Sequence, residues 1–167
     1  LGFDMMLRRV LRQDPNVIMV GEIRDRETAD IALRSALTGH LILSTLHTND
    51  SVSVITRLVN MGIEPYLIAA VLKCSVAQRL VRLLCPSCAK DAALPVGIRA
   101  ACERFGIAAA TMKIPQGCPT CGNSGFRGRT VVSEVFEITG EVEDMIAGGT
   151  AIASIRECAA RSGMTTM

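Results

Sequence analysis

The sequence predicts an α/β fold built on a parallel sheet, and three observations predict it. Val17–Val20 is a short apolar run bounded by Asp14-Pro15-Asn16 before it and Gly21 after it. Leu41 to Leu46 is a second such run. Stretches with apolar residues at helical spacing lie before, between and after the two. Buried strands alternating with helices are the rhythm of a layered α/β domain, and continuous rather than alternating apolar strands suit a parallel sheet covered on both faces.

In chain order, Asp4 can cap a first helix whose apolar residues Met6, Leu7, Val10 and Leu11 fall at helical spacing, and Pro15 ends it. The strand Val17–Val20 then delivers Gly21 and Glu22 to its carboxyl end. Open parallel sheets bind ligands at that edge, where a partly desolvated carboxylate can hold a metal-bound water or accept its proton. The plainer role for Glu22 is helix capping. Asp25 can cap a second helix with Ala29, Ala32, Leu33, Ala36 and Leu37 along one stripe and Gly39 as its stop. His40, beside Gly39, is suited to the carbonyls of that helix end.

The strand Leu41 to Leu46 delivers His47, Thr48, Asn49 and Asp50 to a loop at the same sheet edge as Glu22. His47 can bond loop backbone; alternatively, a neutral imidazole can donate and accept at once beside Glu22 and contact a terminal phosphate or attacking water. A helix from about Ser51 to Met61 follows, stopping at Gly62, and Pro65 can open another. Gln78 to Cys85 reads as a strand, though a continued helix fits too. Its partner is Thr130 to Ile138, which is rich in β-branched residues. Everything between them is an insertion.

That insertion carries the strongest spacing signal. Cys85-Pro-Ser-Cys88 is answered by Cys118-Pro-Thr-Cys121, with residues 89–117 between. Paired knuckles of this kind give four thiolates around a structural Zn2+. Either pair alone also fits a redox dithiol, and paired disulfides are disfavoured in a reducing setting. Cys74, Cys102 and Cys158 have no partner pattern and read as small buried residues. Gly117 to Ser124 mimics a phosphate-binding loop, but Asn123 stands where the lysine belongs. None of the three lysines, Lys73, Lys90 and Lys113, precedes Ser or Thr, so the 167 residues contain no complete loop of that kind.

Composition sets bounds on function. A net charge of +2 advertises neither nucleic acid nor an anionic membrane. Tyr66 is the sole tyrosine and tryptophan is absent, which removes the stacking platforms of single-strand binders. The longest run without Asp, Glu, Lys or Arg is Ser35 to Asn49, too short and too polar to span a bilayer. No signal peptide is visible, as expected of a cytosolic piece of something longer.

Four strings, LRQDPNVIMVGEIRD (Leu11 to Asp25), TGHLILSTLHTND (Thr38 to Asp50), AQRLVRLLCPSC (Ala77 to Cys88) and CPTCGNSGFRGRTVVSEVFEI (Cys118 to Ile138), together resemble the type II secretion and type IV pilus assembly ATPases. GEIRD matches that family's Walker B segment, STLHTN its histidine box, and the cysteine pairs its metal-binding subdomain. The resemblance implies a partial RecA-like P-loop NTPase domain, with a tetracysteine zinc subdomain inserted and a small helical subdomain at the end. The boundaries it implies are 1–84 for the RecA-like part, 85–121 for the zinc insertion, 122–138 for the return strand and 139–167 for the helical part. It further implies ATP, Mg2+ and Zn2+ as cofactors and a hexameric homo-oligomer. Its partners would be inner-membrane secretion or pilus platform proteins, through which the motor sits peripherally at the cytoplasmic face of the inner membrane, with no direct nucleic acid contact.

Glu22 and His47 are then the catalytic candidates. Gly21, Arg24, Asp25, Arg127 and Arg129 are nucleotide-site candidates, and Cys85, Cys88, Cys118 and Cys121 are the metal ligands. The phosphate-binding loop would lie upstream of residue 1, which makes the chain an internal piece by that comparison. The rival from another class is a non-enzymatic zinc-binding protein-interaction module; a dithiol oxidoreductase is a third reading.

Overall fold

The computed structural model describes residues 3–167, with the side chains of Phe3, Asp4, Leu7 and Arg8 excepted. The cap expected from Asp4 therefore lies outside the described residues. Contacts divide the chain into two compact units, one formed by residues up to Gln78 together with Ser133–Met167, the other by Arg79–Val132.

In the first unit, α1 (Phe3–Val10) and a 3-10 turn (Leu11–Gln13) lead into β1 (Val17–Val20), which α2 (Arg26–Leu37) follows. Next come β2 (Leu41–Ser44), α3 (Ser53–Asn60) and α4 (Pro65–Val71). Strands β1 and β2 are parallel, with Val17 opposite Leu41 and Val20 opposite Ser44. The chain closes with α6 (Gly140–Ala147) and α7 (Ile152–Arg161). The core gathers Ile18 and Val20 from β1, Ala29 and Ala32 from α2, Ile55 and Leu58 from α3 and Ile68 from α4. Phe136, Ile146 and Ile155 complete it from the end of the chain. Among the described residues no helix is long and apolar enough to cross a membrane.

One expectation about the sheet fails. The apolar run Val17–Val20 suggested a strand covered on both faces, yet only Ile18 and Val20 are buried, while Val17 and Met19 are exposed, Met19 at 79%. Side chains of a strand point alternately to opposite faces, and among the described residues only the face of Ile18 and Val20 is covered. Smaller shifts have local causes. Strand β2 ends at Ser44 rather than Leu46 because the chain beyond it bonds to the exit of β1 instead of to the ladder. Helix α3 begins at Ser53 rather than Ser51, with Val52 as its N-cap residue; ahead of it the Asp50 carboxylate accepts from the Ser53 N–H (2.9 Å) and Oγ (2.7 Å).

The region Gln78 to Cys85 is a strand, but a longer one: β3 runs over Cys74–Leu84 and pairs with β6, Phe126–Glu137. The Ile138 N–H donates to the Lys73 carbonyl and the Cys85 N–H to the Gly125 carbonyl, so the two strands are antiparallel. The Arg82 guanidinium stacks 3.9 Å over the Phe126 ring. Of the three unpatterned cysteines only Cys158 is buried; Cys74 is exposed and Cys102 half-buried. Cys74 opens a ribbon of only two strands, which has too few neighbours to cover both its faces.

The second unit holds the rest of that ribbon, a small antiparallel pair of β4 (Lys90–Ala93) and β5 (Thr111–Ile114), and α5 (Val96–Arg104) between them. Residues 89–111 lie outside the four strings that carry the family resemblance. Helix α5 has no buried residue, so it lacks the apolar stripe that periodicity detects.

Candidate functional site

The parallel pairing of β1 and β2 brings their carboxyl ends together, and two bonds extend the pairing past the last ladder residues. The Thr45 hydroxyl donates to the Gly21 carbonyl (2.7 Å), and the Ile23 N–H donates to the Thr45 carbonyl (3.1 Å). This stitching sets Glu22 beside His47. One Glu22 oxygen lies 2.9 Å from His47 Nε2 and the other 2.5 Å from the Arg24 guanidinium. Glu22 retains 21% of its side-chain exposure, whereas His47 retains 83%. The hydrogen bond from Arg24 holds the Glu22 carboxyl below its ordinary value; partial burial opposes this, and the charges of Arg24 and His47 reinforce it. Glu22 is therefore an ionised carboxylate at neutral pH, able to hold a cation or orient a water.

The remaining sequence candidates separate. Gly21 supplies the carbonyl that anchors Thr45, and Arg24 pairs with Glu22. Asp25 caps α2, its carboxylate accepting from the Thr28 N–H at 2.8 Å, a bond that draws its pKa down. Arg127 and Arg129 lie on β6, exposed, in the other unit. His40 Nδ1 lies 3.0 Å from the Ser35 carbonyl, at the helix end where the sequence put it.

Sequence reasoning missed what holds the far end of the His47 loop. The Thr48 hydroxyl donates to the Asp50 carbonyl (3.0 Å). The Asp50 carboxylate, besides its bonds to Ser53, accepts from Arg156 of α7 at 3.1 Å. Burial pushes its pKa up, but the Ser53 bonds and Arg156 outweigh this and the net shift is downward. Beside it, Glu134 of β6 is 2% exposed and accepts from the Ser51 N–H (2.9 Å), the Ser51 hydroxyl and the Met167 N–H (3.3 Å). Burial raises the Glu134 pKa, the Ser51 bonds lower it more, and the carboxyl stays ionised. One signal for Glu134 was present: it shares a strand face with Phe136, two residues on, which is fully buried.

In the second unit the four knuckle cysteines converge. Their Sγ atoms all lie within 4.8 Å of one another, with Cys85–Cys118 and Cys88–Cys121 at 3.9 Å and Cys118–Cys121 at 3.7 Å. A tetrahedral site with Zn–S bonds of about 2.3 Å has edges of about 3.8 Å, so the donor set fits the ion. The turns that aim the thiols are tight. At Gly125, with φ +75°, a Cβ would sit 2.5 Å from Pro115, and at Gly117, with φ +98°, 2.8 Å from the Asn123 carbonyl oxygen. Burial pushes the Cys88 thiol up to about 11. Burial acts upward on Cys121 as well, yet N–H donors from Cys118 and Gly125, both at 3.2 Å, bring it down to about 6.

Known proteins resemble the whole chain. It is 46% identical over 167 residues to the type II secretion system protein HxcR of Pseudomonas aeruginosa, covering 100% of this chain and 32% of that protein. It is 45% identical over 173 residues to the type IV pilus assembly ATPase PilB of Myxococcus xanthus, covering 100% of this chain and 30% of that one. The chain thus spans about a third of the length of these relatives. Among solved structures, the ATPase DotB of Legionella pneumophila shares the fold, with a TM-score of 0.64 at 24% identity over 98% of this chain and 36% of DotB. The family model for type II/IV secretion system proteins matches residues 1–167, and the chain belongs to that family.

Proposed function

We propose that this chain is part of an ATP-hydrolysing motor subunit that powers type II protein secretion or type IV pilus assembly. The single observation behind the chemistry is the pairing of ionised Glu22 with His47 where two parallel strands end. Relatives named as a secretion protein and a pilus assembly ATPase support the class of reaction. They lend nothing to a zinc-binding interaction module acting alone.

In this reading the first unit is the Walker B and histidine-box half of a RecA-like domain. Glu22 orients the attacking water and takes its proton, and His47, held beside it, contacts the terminal phosphate. Mg2+ supplies charge neutralisation on the phosphates when it is bound with ATP. Arg24 keeps Glu22 ionised and turned towards the edge. Gly21 and Asp25 serve the backbone around the site, through the Thr45 anchor and the α2 cap. Arg127 and Arg129 stay as candidates for a nucleotide or a neighbouring subunit. A phosphate-binding loop must come from outside these residues, and β2 can accept a further strand: among the described residues its second edge is unpaired, and an apolar cavity of about 490 Å³, lined by Ile42, Leu46, Leu72 and Val76 among others, adjoins it. Cys85, Cys88, Cys118 and Cys121 would hold Zn2+ through all four thiolates, which would give the ion an architectural role. The working form is a hexamer, docked on platform proteins at the cytoplasmic face of the inner membrane.

The test uses a full-length protein carrying this chain. Glu22→Gln keeps the side chain's shape, so ATP affinity by titration should change little, while phosphate release under saturating Mg-ATP falls by roughly 10²-fold or more. Unchanged turnover would return Glu22 to a structural role.

A further inference from the structure

We propose that Arg156 and Glu134 are positioning residues for His47, making the last helix of the chain part of the machinery that acts on the nucleotide. The inference rests on the reading of Glu22 and His47 given above.

At 83% exposure, the His47 side chain is not held in place by packing. Apart from its pairing with Glu22, its position follows from the two ends of its loop. The near end is fixed to β1 through Thr45, as described. The far end is the Asp50-Ser51 corner, and two carboxylates hold it. Asp50 is already held at the start of α3 by its Ser53 bonds, yet it also takes the Arg156 guanidinium from α7, 106 positions along the chain. Ser51 is fully buried and bonded through both its N–H and its hydroxyl to Glu134, itself almost fully buried in β6. A buried carboxylate is costly unless its oxygens are satisfied, and Glu134 satisfies them at Ser51 and at the Met167 N–H. Strand β6, helix α7 and Met167 therefore meet at one corner, three residues from the imidazole. A displacement of α7 acts on Asp50 through a charged hydrogen bond, and between Asp50 and Thr45 only residues 46–49, His47 among them, are left to absorb it. A shift of about 1 Å in a reacting group can cost as much as 10²-fold in rate.

The experiment is a double-mutant cycle in a full-length protein carrying this chain. It reads kcat and KM for Mg-ATP, and the midpoint of thermal unfolding, for wild type, Arg156→Gln, His47→Ala and the pair, with Glu22→Gln as control. Arg156→Gln should lower kcat about tenfold with KM for Mg-ATP changed less than about twofold. In the His47→Ala background the same change should cost less than about twofold, because the group being positioned is gone. Arg156→Lys, which keeps a cationic donor for Asp50, should recover most of kcat, and Glu134→Gln should repeat the non-additivity. An unchanged kcat in Arg156→Gln, or an equal fold-loss in both backgrounds, overturns the proposal. Should Arg156→Gln unfold the protein, Glu134→Gln decides by the same cycle, an equal fold-loss in both backgrounds again overturning the proposal. A Glu22→Gln variant with wild-type turnover would instead overturn the reading of the site itself.

Discussion

The two sites of this chain are built in opposite ways. The cysteine cluster takes its four donors from two short turns, each aimed by local hydrogen bonds, and is complete within Arg79–Val132. The Glu22–His47 pair lies at an open sheet edge, with an exposed imidazole and a carboxylate whose present partners are Arg24 and His47. A closed site of soft ligands fixes structure; an open edge of oxygen and nitrogen groups leaves its ligands free for other partners. Disturbing the first should therefore change folding, and disturbing the second should change rate.

The largest effect belongs to the metal. Zinc binding in small tetrahedral sites contributes on the order of 10 kcal/mol to folding. Cys121→Ser, or chelation of zinc from the wild type, should disorder the second unit, seen as loss of amide protection over residues 79–132, while the first unit keeps most of its own. The purified protein should hold one zinc per chain. Free reaction of all seven thiols without chelation would break the contrast, because the cluster would then be no more closed than the sheet edge.

A middle-sized effect is expected at Glu134, where an open-edge loop rests on a buried contact. Glu134→Ala leaves the Ser51 and Met167 donors without their acceptor and should cost about 1–3 kcal/mol in denaturant unfolding. The sign with pH follows from its lowered pKa. A carboxyl depressed on folding adds stability that is fully present above its ordinary value of 4.5 and is lost as pH falls through the folded value. Asp50 is lowered as well and acts in the same direction, while its charge slightly raises Glu134. The acid limb of a thermal-stability profile should thus be shallower in Glu134→Gln than in wild type. Identical limbs would mean that Glu134 is not ionised at this corner.

The smallest effect sharpens the boundary of the open site. Asp25→Ala removes the cap of α2 and should cost about 1 kcal/mol, whereas Asp25→Asn, also a good cap, should cost a few tenths. If Asp25→Asn keeps its stability but loses turnover in a full-length protein, Asp25 belongs with the nucleotide groups as well as with the helix.

How legible each site was follows the same contrast. Two C-x-x-C pairs announce their chemistry by spacing alone, because the ligand geometry is local and each knuckle needs only four residues. Glu22 and His47 were legible as residues at strand ends, since apolar runs terminating in polar groups locate a sheet edge. The exposure of Met19 was not, because a four-residue apolar run reads the same whether one face or both are covered. Nor were Arg156 and Asp50 legible as partners: nothing near either residue marks a contact made across 106 positions. The α5 region was silent for a related reason, as a helix that buries nothing leaves no period to read.

The antiparallel pairing of β3 with β6 has a topological consequence. The backbone leaves the α/β unit along one strand and returns along its immediate neighbour, so the exit and re-entry points are a strand's width apart. A hairpin turn could bridge that distance, and the length of what is spliced between the two strands is no constraint on the unit they leave. The cysteine unit is in this sense a cassette: its size and decoration can drift, or be exchanged by design, while β1, β2 and the corner at Asp50-Ser51 keep their own internal geometry.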